Sequence, residues 1–444
     1  MKERLLRAIE RKSAKIVVLG LGYVGLPVAC RFAEVGFRVW GLDRDEEKVR
    51  RIGRGECPIE GEEPGLPELV ARVMAEKRLT TTTDYAVCRD AQVVLVVVET
   101  PVDPETHKPR YEALRGALTS LAAHLSPNTM VIVESTLAPG TMDRLVRPLL
   151  EEKSGLRVGE DLYLVHCPER VMPGRLLYNL RHMSRVVGGM PLEAAEVAVA
   201  LYRHIVEGDL DPTDCLTAEL VKTAENAYRD VQIAFANEVA LLCETMGADV
   251  WRVRELVNKS PGRDMHLPGA GVGGHCIPKD PWLLIANAGE RFTPRLIPAA
   301  RAVNDGMPLH VAELVVDGLR EAGVGIEGSR VAVLGYAYRE NTDDTRNSPS
   351  EVLVRRLREM GAEVVIHDPW VPAYRGDLEE RVRGCDAVVV MVAHDEYREM
   401  DLERLRRVVR RPVLVDGREV FPVEGVRARG WVCRRIGVGT RRDG

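Results

Sequence analysis

The chain has 444 residues, enough for two or three domains at roughly 100–200 residues each, which excludes a peptide hormone, a small disulfide scaffold or a single zinc module. With 62 Lys and Arg against 67 Asp and Glu, a formal net charge of -5 and 45% apolar residues, the composition is that of a globular protein with no drive towards nucleic acid or an anionic membrane. The nine cysteines are odd in number, scattered and never spaced Cys-x-x-Cys, so neither a disulfide framework nor a metal site is expected, and the chain reads as reduced and cytoplasmic.

The first charge-free window, residues 16–30, is 15 residues long and broken by three glycines and Pro27. That falls short of the roughly 20 apolar residues of a membrane span, and its pattern reads as a strand and a phosphate turn rather than a signal peptide. From there to about residue 211, apolar runs of strand length at 16–19, 38–42, 93–98, 130–133 and 163–165 alternate with helical patterns. Runs rich in Val and Ile between amphipathic helices predict a parallel sheet covered on both faces.

Residues 217–246 have a different texture, a helix-forming stretch free of Gly and Pro, with Asp214 as a candidate cap and Gly247 as its stop. Such a helix would reach about 45 Å. Its apolar residues cover too broad an arc for a surface helix, which predicts burial on several sides, with a dimer core the first reading. A second α/β alternation follows, at 331–334, 363–366, 387–392 and 413–415. The expected architecture is thus α/β, two Rossmann-like doubly wound domains (residues 1–212 and 311–444) joined by a central helical domain, residues 213–310.

Gly20-Leu21-Gly22-Tyr23-Val24-Gly25 follows the first strand and opens a helix, and Asp43 ends the next strand 18 residues after Gly25. Gly20 allows a tight turn, Gly22 lets the backbone approach a pyrophosphate, Gly25 packs helix on strand, and Asp43 suits a ribose diol and repels a 2'-phosphate. This predicts dinucleotide binding, NAD before NADP, with Arg44 keeping the second open. The later alternation has only Gly335 at the matching turn, followed by a loop, residues 336–349, that carries Arg339, Arg346 and several hydroxyls where ligands of open sheets bind.

Four glycines in residues 269–274 lead to His275-Cys276, then Lys279 and Asp280. Glycines leave the backbone open to a ligand, and a thiol at their end is placed as a nucleophile would be. On the long helix Glu219, Lys222 and Asn226 share a face, and an ammonium there needs a partner, with Glu219 and Glu225 the local candidates. Residues 133–141 and 166–174 put polar side chains at two further strand ends. Glu169 suits a general base if desolvated, and His166 reads as a packing histidine.

GLGYVGLPVA, STLAPGT, CPER, ELVKTAENAYRDVQIAFANE, GVGGHCIPKD and GYAYRENTDDTRNSP together resemble the UDP-glucose/GDP-mannose dehydrogenase family over nearly the whole length. The resemblance implies an NAD-dependent, four-electron oxidation of the C6 alcohol of a nucleotide sugar and a homodimer built on the central helix, with higher assembly open. HCPERVMPG and AYRDVQIAFANE are similar to members acting on UDP-N-acetylmannosamine, those acting on UDP-N-acetylglucosamine being next. Pro173 stands where UDP-glucose enzymes usually carry a second Glu, and Tyr338-Arg339 where they commonly carry Phe-Lys, which disfavours UDP-glucose.

Carried onto matching positions, the resemblance implies Cys276 as nucleophile, Lys222 and Asn226 as oxyanion stabilisers, and Asp280 with Glu169 handling water and protons. NAD would lie on Gly20, Gly22, Tyr23, Val24, Gly25 and Asp43, with Thr100, Ser135 and Thr136 lining its path and Arg346 at the pyrophosphate. The UDP-amino-sugar would meet Glu169, Arg170, Lys222, Asn226, Gly273 and Arg339. A two-electron β-hydroxyacid dehydrogenase, which needs no thiol, and a silent nucleotide-sugar sensor are the competing readings.

Overall fold

The computed structural model describes residues 1–59, 61, 63–171, 174–289 and 292–439. Pro173 therefore lies outside the described residues. Contacts divide the chain into two compact units, one of residues 1–225 with 282–293, the other of residues 226–281 with 294–444.

In the first unit, β1 (Lys15–Leu19), β2 (Arg38–Leu42), β3 (Leu79–Thr82), β4 (Val93–Val96), β5 (Thr129–Val133), β6 (Leu162–His166), β7 (Arg185–Met190) and β8 (Leu210–Asp214) form one sheet. The order is β3-β2-β1-β4-β5-β6-β7-β8. Every pairing is parallel except β6 with β7, which is antiparallel, so the all-parallel expectation holds only as far as β6. Alternation along β1 shows why both faces are covered: Ile16 and Val18 enter one apolar cluster, Val17 and Leu19 the other. Helix α1 (Gly25–Glu34) follows β1 with almost every residue buried.

Strands β3, β7 and β8 lie outside the predicted runs. β3 reads LTTT and β8 reads LDPTD, too polar to signal a strand. β7 contains Gly188 and Gly189 because helices press on it: a Cβ at Gly188 would stand 2.7 Å from the Cys215 Cα, and one at Gly189 2.4 Å from the Ala195 nitrogen.

Helix α2 (Cys215–Met246) has 32 residues, and the boundary between the units falls within it. Its start is capped as expected, Asp214 Oδ1 accepting from the Thr217 nitrogen at 2.9 Å, and Gly247 ends it with φ of 74°.

In the second unit, helices α3 (Asp280–Ala286, shared with the first) and α4 (Leu296–Glu321) precede the sheet. Its strands are β9 (Arg330–Leu334), β10 (Glu363–His367), β11 (Ala387–Val390), β12 (Val413–Asp416) and β13 (Val432–Arg435), with helix α5 (Pro349–Glu359) after β9. Their order is β10-β9-β11-β12-β13, parallel throughout. The chain thus has the two doubly wound α/β sheets and long helix that its pattern predicts. Among the described residues no helix is long and apolar enough to cross a membrane.

Candidate active site

The first turn fits a dinucleotide on steric grounds. A Cβ on Gly20 (φ 98°) would stand 2.1 Å from the Val97 carbonyl oxygen, and one on Gly25 1.8 Å from the Gly20 carbonyl oxygen, whereas Gly22 faces open space. Two glycines therefore seal the strand–helix corner and the third leaves its backbone accessible to a phosphate. Asp43 ends β2 beside this turn, Oδ2 accepting from the Leu21 nitrogen at 2.8 Å and from Lys48 Nζ at 3.1 Å. Tyr23 donates from its hydroxyl to Glu63, whose carboxylate also accepts from the nitrogens of Gly174 (2.7 Å) and Leu176 (3.1 Å). Val24 is the residue before α1.

The loops after β4 and β5 are laced together. Ser135 Oγ donates to the Val98 carbonyl at 2.6 Å and accepts from the Val98 nitrogen at 3.0 Å, and Thr100 Oγ1 donates to the Thr136 carbonyl at 2.7 Å. Since β4 neighbours β1 and β5 neighbours β4, these residues stand at the carboxyl edge of the sheet on the side of the glycine turn. His166 is fully buried, its Nδ1 2.9 Å from the Val133 carbonyl. Burial pushes it down to about 4, so it is a neutral packing residue, as expected.

Glu169 is buried, but not alone: Oε2 lies 2.6 Å from Arg185 Nη1 and Oε1 accepts from the Arg170 nitrogen at 2.7 Å. Arg170 sends Nη1 to the Ser184 carbonyl (2.8 Å) and Nη2 to Glu225 (2.8 Å). Lys222, 6% exposed, has its Nζ 3.5 Å from the other oxygen of Glu225. Of the two partners the sequence offered Lys222, Glu225 is the one used. Glu219 instead accepts from the Gly140 and Met142 nitrogens, at 2.6 and 2.8 Å. Arg185 carries no sequence signal, because it opens a strand interrupted by two glycines, and Glu225 carries none beyond helix spacing.

In the second unit, Asn226 Nδ2 donates to Asp280 Oδ2 at 2.6 Å. Asp280 is fully buried; its Oδ1 accepts no hydrogen bond among the described residues and lies 3.6 Å from Lys279 Nζ. The backbone nitrogens of Lys279 and Asp280 both donate to the Cys276 carbonyl, at 3.1 and 2.9 Å, which fixes the thiol one turn before the buried carboxylate. Cys276 is exposed, unlike the other eight cysteines. Gly273 is pressed against the loop after β9, where its Cβ would stand 2.6 Å from Tyr338 Cβ. Next to it the Gly274 nitrogen donates to the Arg346 carbonyl at 2.9 Å. Arg346 is paired with Asp344 and close enough to interact electrostatically with Cys276. Arg339 is exposed on the same loop.

The second sheet holds its own turn in a related way. Asp368, after β10, is fully buried and accepts from the nitrogens of Tyr336 (2.6 Å) and Ala337 (2.9 Å). Burial pushes this carboxyl up, but hydrogen bonds from His394 and from the Ala337, Tyr336 and Val371 nitrogens outweigh it and hold it at about 2. The amide after Gly335 is thus held as Asp43 holds the Leu21 amide, and the next amide, of Ala337, is taken as well.

A glycine turn with an acid at the end of the next strand, on a doubly wound sheet, defines a dinucleotide-binding protein. Comparison with known proteins narrows this. Residues 14–206 match the NAD binding domain, 216–306 the central domain and 332–422 the UDP binding domain of the UDP-glucose/GDP-mannose dehydrogenase family. The chain belongs to this family, and it is an NAD-dependent nucleotide-sugar dehydrogenase.

It is 40% identical to UDP-N-acetyl-D-mannosamine dehydrogenase of Pyrococcus horikoshii over 425 residues, 96% of this chain and 99% of the relative. The solved UDP-D-ManNAc dehydrogenase structure from that organism superposes with a TM-score of 0.89, over 96% of this chain and 99% of that one. The structure of NDP-N-acetyl-D-galactosaminuronic acid dehydrogenase from Methanosarcina mazei Go1 gives a TM-score of 0.88 at 38% identity, covering 99% of this chain and 98% of that one.

Proposed function

We propose that the chain oxidises the C6 hydroxyl of UDP-N-acetyl-D-mannosamine to the carboxylate, giving UDP-N-acetyl-D-mannosaminuronate, with two NAD and one water consumed per turnover. The observation that carries this is Cys276, the exposed thiol among nine cysteines, at the end of a glycine loop and one turn from a buried carboxylate. Bound NAD would supply the hydride acceptor for each of the two oxidations. Its site would be Gly20, Gly22, Tyr23, Val24, Gly25 and Asp43, with Thr100, Ser135 and Thr136 beside it and Arg346 at the pyrophosphate.

Lys222 and Asn226 would stabilise the alkoxide of the alcohol and the later oxyanions, because cationic and amide donors held in place act most strongly where charge develops. An aldehyde carries no alkoxide from which a second hydride can leave. Addition of the Cys276 sulfur to the aldehyde carbon makes a thiohemiacetal that does, and loss of the second hydride leaves a thioester. Asp280, whose buried Oδ1 accepts no hydrogen bond among the described residues, accepts the proton of the water that hydrolyses the thioester and releases the Cys276 thiolate. Glu169, held by Arg185 at 2.6 Å, serves the same step.

Glu169, Arg170, Lys222, Asn226, Gly273 and Arg339 form the sugar-nucleotide contacts in this reading. Residues 1–212 act as the NAD domain, 213–310 as the dimerisation domain with the cysteine loop, and 311–444 as the UDP-sugar domain. A homodimer is supported by Tyr228, Phe235, Leu242 and Met246, large side chains 55–73% exposed on α2, three of them seven residues apart, as a helix–helix seam requires. The product would serve as a cytoplasmic precursor of a cell-surface glycan.

The test is NADH formed per limiting UDP-N-acetylmannosamine, UDP-N-acetylglucosamine, UDP-N-acetylgalactosamine or UDP-glucose, with Cys276→Ser in parallel. Two NADH per UDP-N-acetylmannosamine, lost in the variant, is expected. Two per one of the other sugars overturns the substrate, and an undiminished yield from Cys276→Ser overturns the covalent mechanism.

A further inference from the structure

Five charged residues of the first unit alternate in sign along one path, joined by side-chain pairs except between Glu169 and Arg170, where the link is the Arg170 main-chain amide. Arg185, 1% exposed, meets Glu169 at 2.6 Å and lies 3.8 Å from Glu134, with its guanidinium 5.0 Å from the centre of the Tyr202 ring. Glu169 accepts from the backbone of Arg170 at 2.7 Å; the Arg170 side chain is pinned by the Ser184 carbonyl at 2.8 Å and reaches Glu225 at 2.8 Å. Glu225, three residues after Lys222 on α2, ends the path at the Lys222 ammonium, 3.5 Å away.

Such a path is a poor way to gain stability. Removing charges from water costs more than the pairs return unless geometry is fixed by further hydrogen bonds, and apolar packing of equal volume does as well or better. What it does supply is position. A lysine has a flexible four-carbon stem and a point charge with no preferred direction, so an ammonium that must meet a developing oxyanion needs an external anchor. The Arg170 guanidinium is planar and has both ends engaged, one on a backbone carbonyl and one on a carboxylate, which orients Glu225 in turn.

We propose that Arg170 and Glu225 are positioning residues that hold the Lys222 ammonium at its working place, with Arg185 and Glu169 as the fixed base of the chain. This assigns the Arg170 side chain a task within the protein, in addition to the substrate contact considered above, and it rests on the reading of Lys222 as the oxyanion stabiliser.

The experiment is a double-mutant cycle with saturating UDP-N-acetylmannosamine and NAD varied up to saturation, using Glu225→Gln, Lys222→Met and the pair, with Glu225→Asp and Arg170→Met alongside. Lys222→Met should lose roughly 10²–10³-fold in kcat. Glu225→Gln and Arg170→Met should each lose about tenfold in kcat, with KM for NAD and the thermal midpoint unchanged, and Glu225→Asp should recover part of the loss. In the Lys222→Met background Glu225→Gln should cost nothing further.

Wild-type turnover by Glu225→Gln while Lys222→Met is inactive overturns the inference alone. So does a full additional loss in the double variant, which would place the effect of Glu225 elsewhere. Wild-type turnover by Lys222→Met overturns the reading of Lys222 and the inference with it.

Discussion

Replacing Gly273 by alanine tests whether packing sets the position of the thiol. The added Cβ would stand 2.6 Å from Tyr338 Cβ, 2.9 Å from the Asn347 carbonyl oxygen and 2.9 Å from Pro349 Cδ. Carbon atoms rest about 3.5–4.0 Å apart, so the contact with Tyr338 is short by about 0.9 Å. None of the three neighbours can swing aside: Tyr338 is met at its first side-chain carbon, Asn347 at its main chain, and Pro349 opens α5. The glycine loop itself must shift, and with it the Gly274 amide bonded to Arg346 and the Gly274 carbonyl that accepts from Asn347 Nδ2 at 3.0 Å.

A misplacement near 1 Å costs about 10²-fold in rate, so kcat should fall by that factor, while overpacking removes roughly 1–3 kcal/mol of stability. Steady-state NADH production would be measured beside the rate at which iodoacetamide alkylates Cys276 and the thermal midpoint. A variant with kcat within about threefold of wild type and unchanged alkylation would refute the packing argument.

Arg185→Leu leaves Glu169 and Glu134 buried without a countercharge, and should cost about 3–5 kcal/mol, read by calorimetry as a drop of roughly 2–4 °C per kcal/mol; a loss below about 1 kcal/mol would show that the pair is dispensable. Burial raises Glu219 from 4.5 to about 7 despite hydrogen bonds from the Met142 and Gly140 nitrogens. Because the folded value lies above the unfolded one, this group's contribution to stability is full below about pH 4.5 and is lost as pH rises through about 7. The difference in unfolding free energy between wild type and Glu219→Gln should therefore shrink by about 2–3 kcal/mol from pH 5 to pH 8; equal differences at both pH values would contradict the assignment.

Much of the candidate site was legible because its residues are grouped locally. Gly20, Gly22 and Gly25 are spaced by the needs of one turn, and Asp43 by the length of one helix and strand, so a strand–turn–helix pattern suffices to place them. Cys276 and Asp280 are four residues apart, and a single turn of backbone brings the Cys276 carbonyl to the Asp280 nitrogen. Lys222 and Asn226 share a face of α2 by helical periodicity alone.

Strands without the apolar signal were not legible. β3 and β8 take their place from their neighbours' hydrogen bonds rather than from their own side chains, and β7 from helices packed so closely that only glycine fits. Arg185 was hidden with β7, so nothing in the chain announced that Glu169 would be paired. The choice of Glu225 over Glu219 for Lys222 was likewise decided by partners far along the chain: Gly140 and Met142 claim Glu219, and Arg170 turns Glu225 towards the lysine. The sequence by itself determined the two α/β sheets, the long helix, the cofactor turn and the candidate nucleophile, all set by short-range spacing and hydrophobic period. Tertiary structure decided which charges are paired and buried, because an ion pair is selected by distance in space, and partners such as Glu169 with Arg185 or Arg170 with Glu225 share no helical or strand period to read.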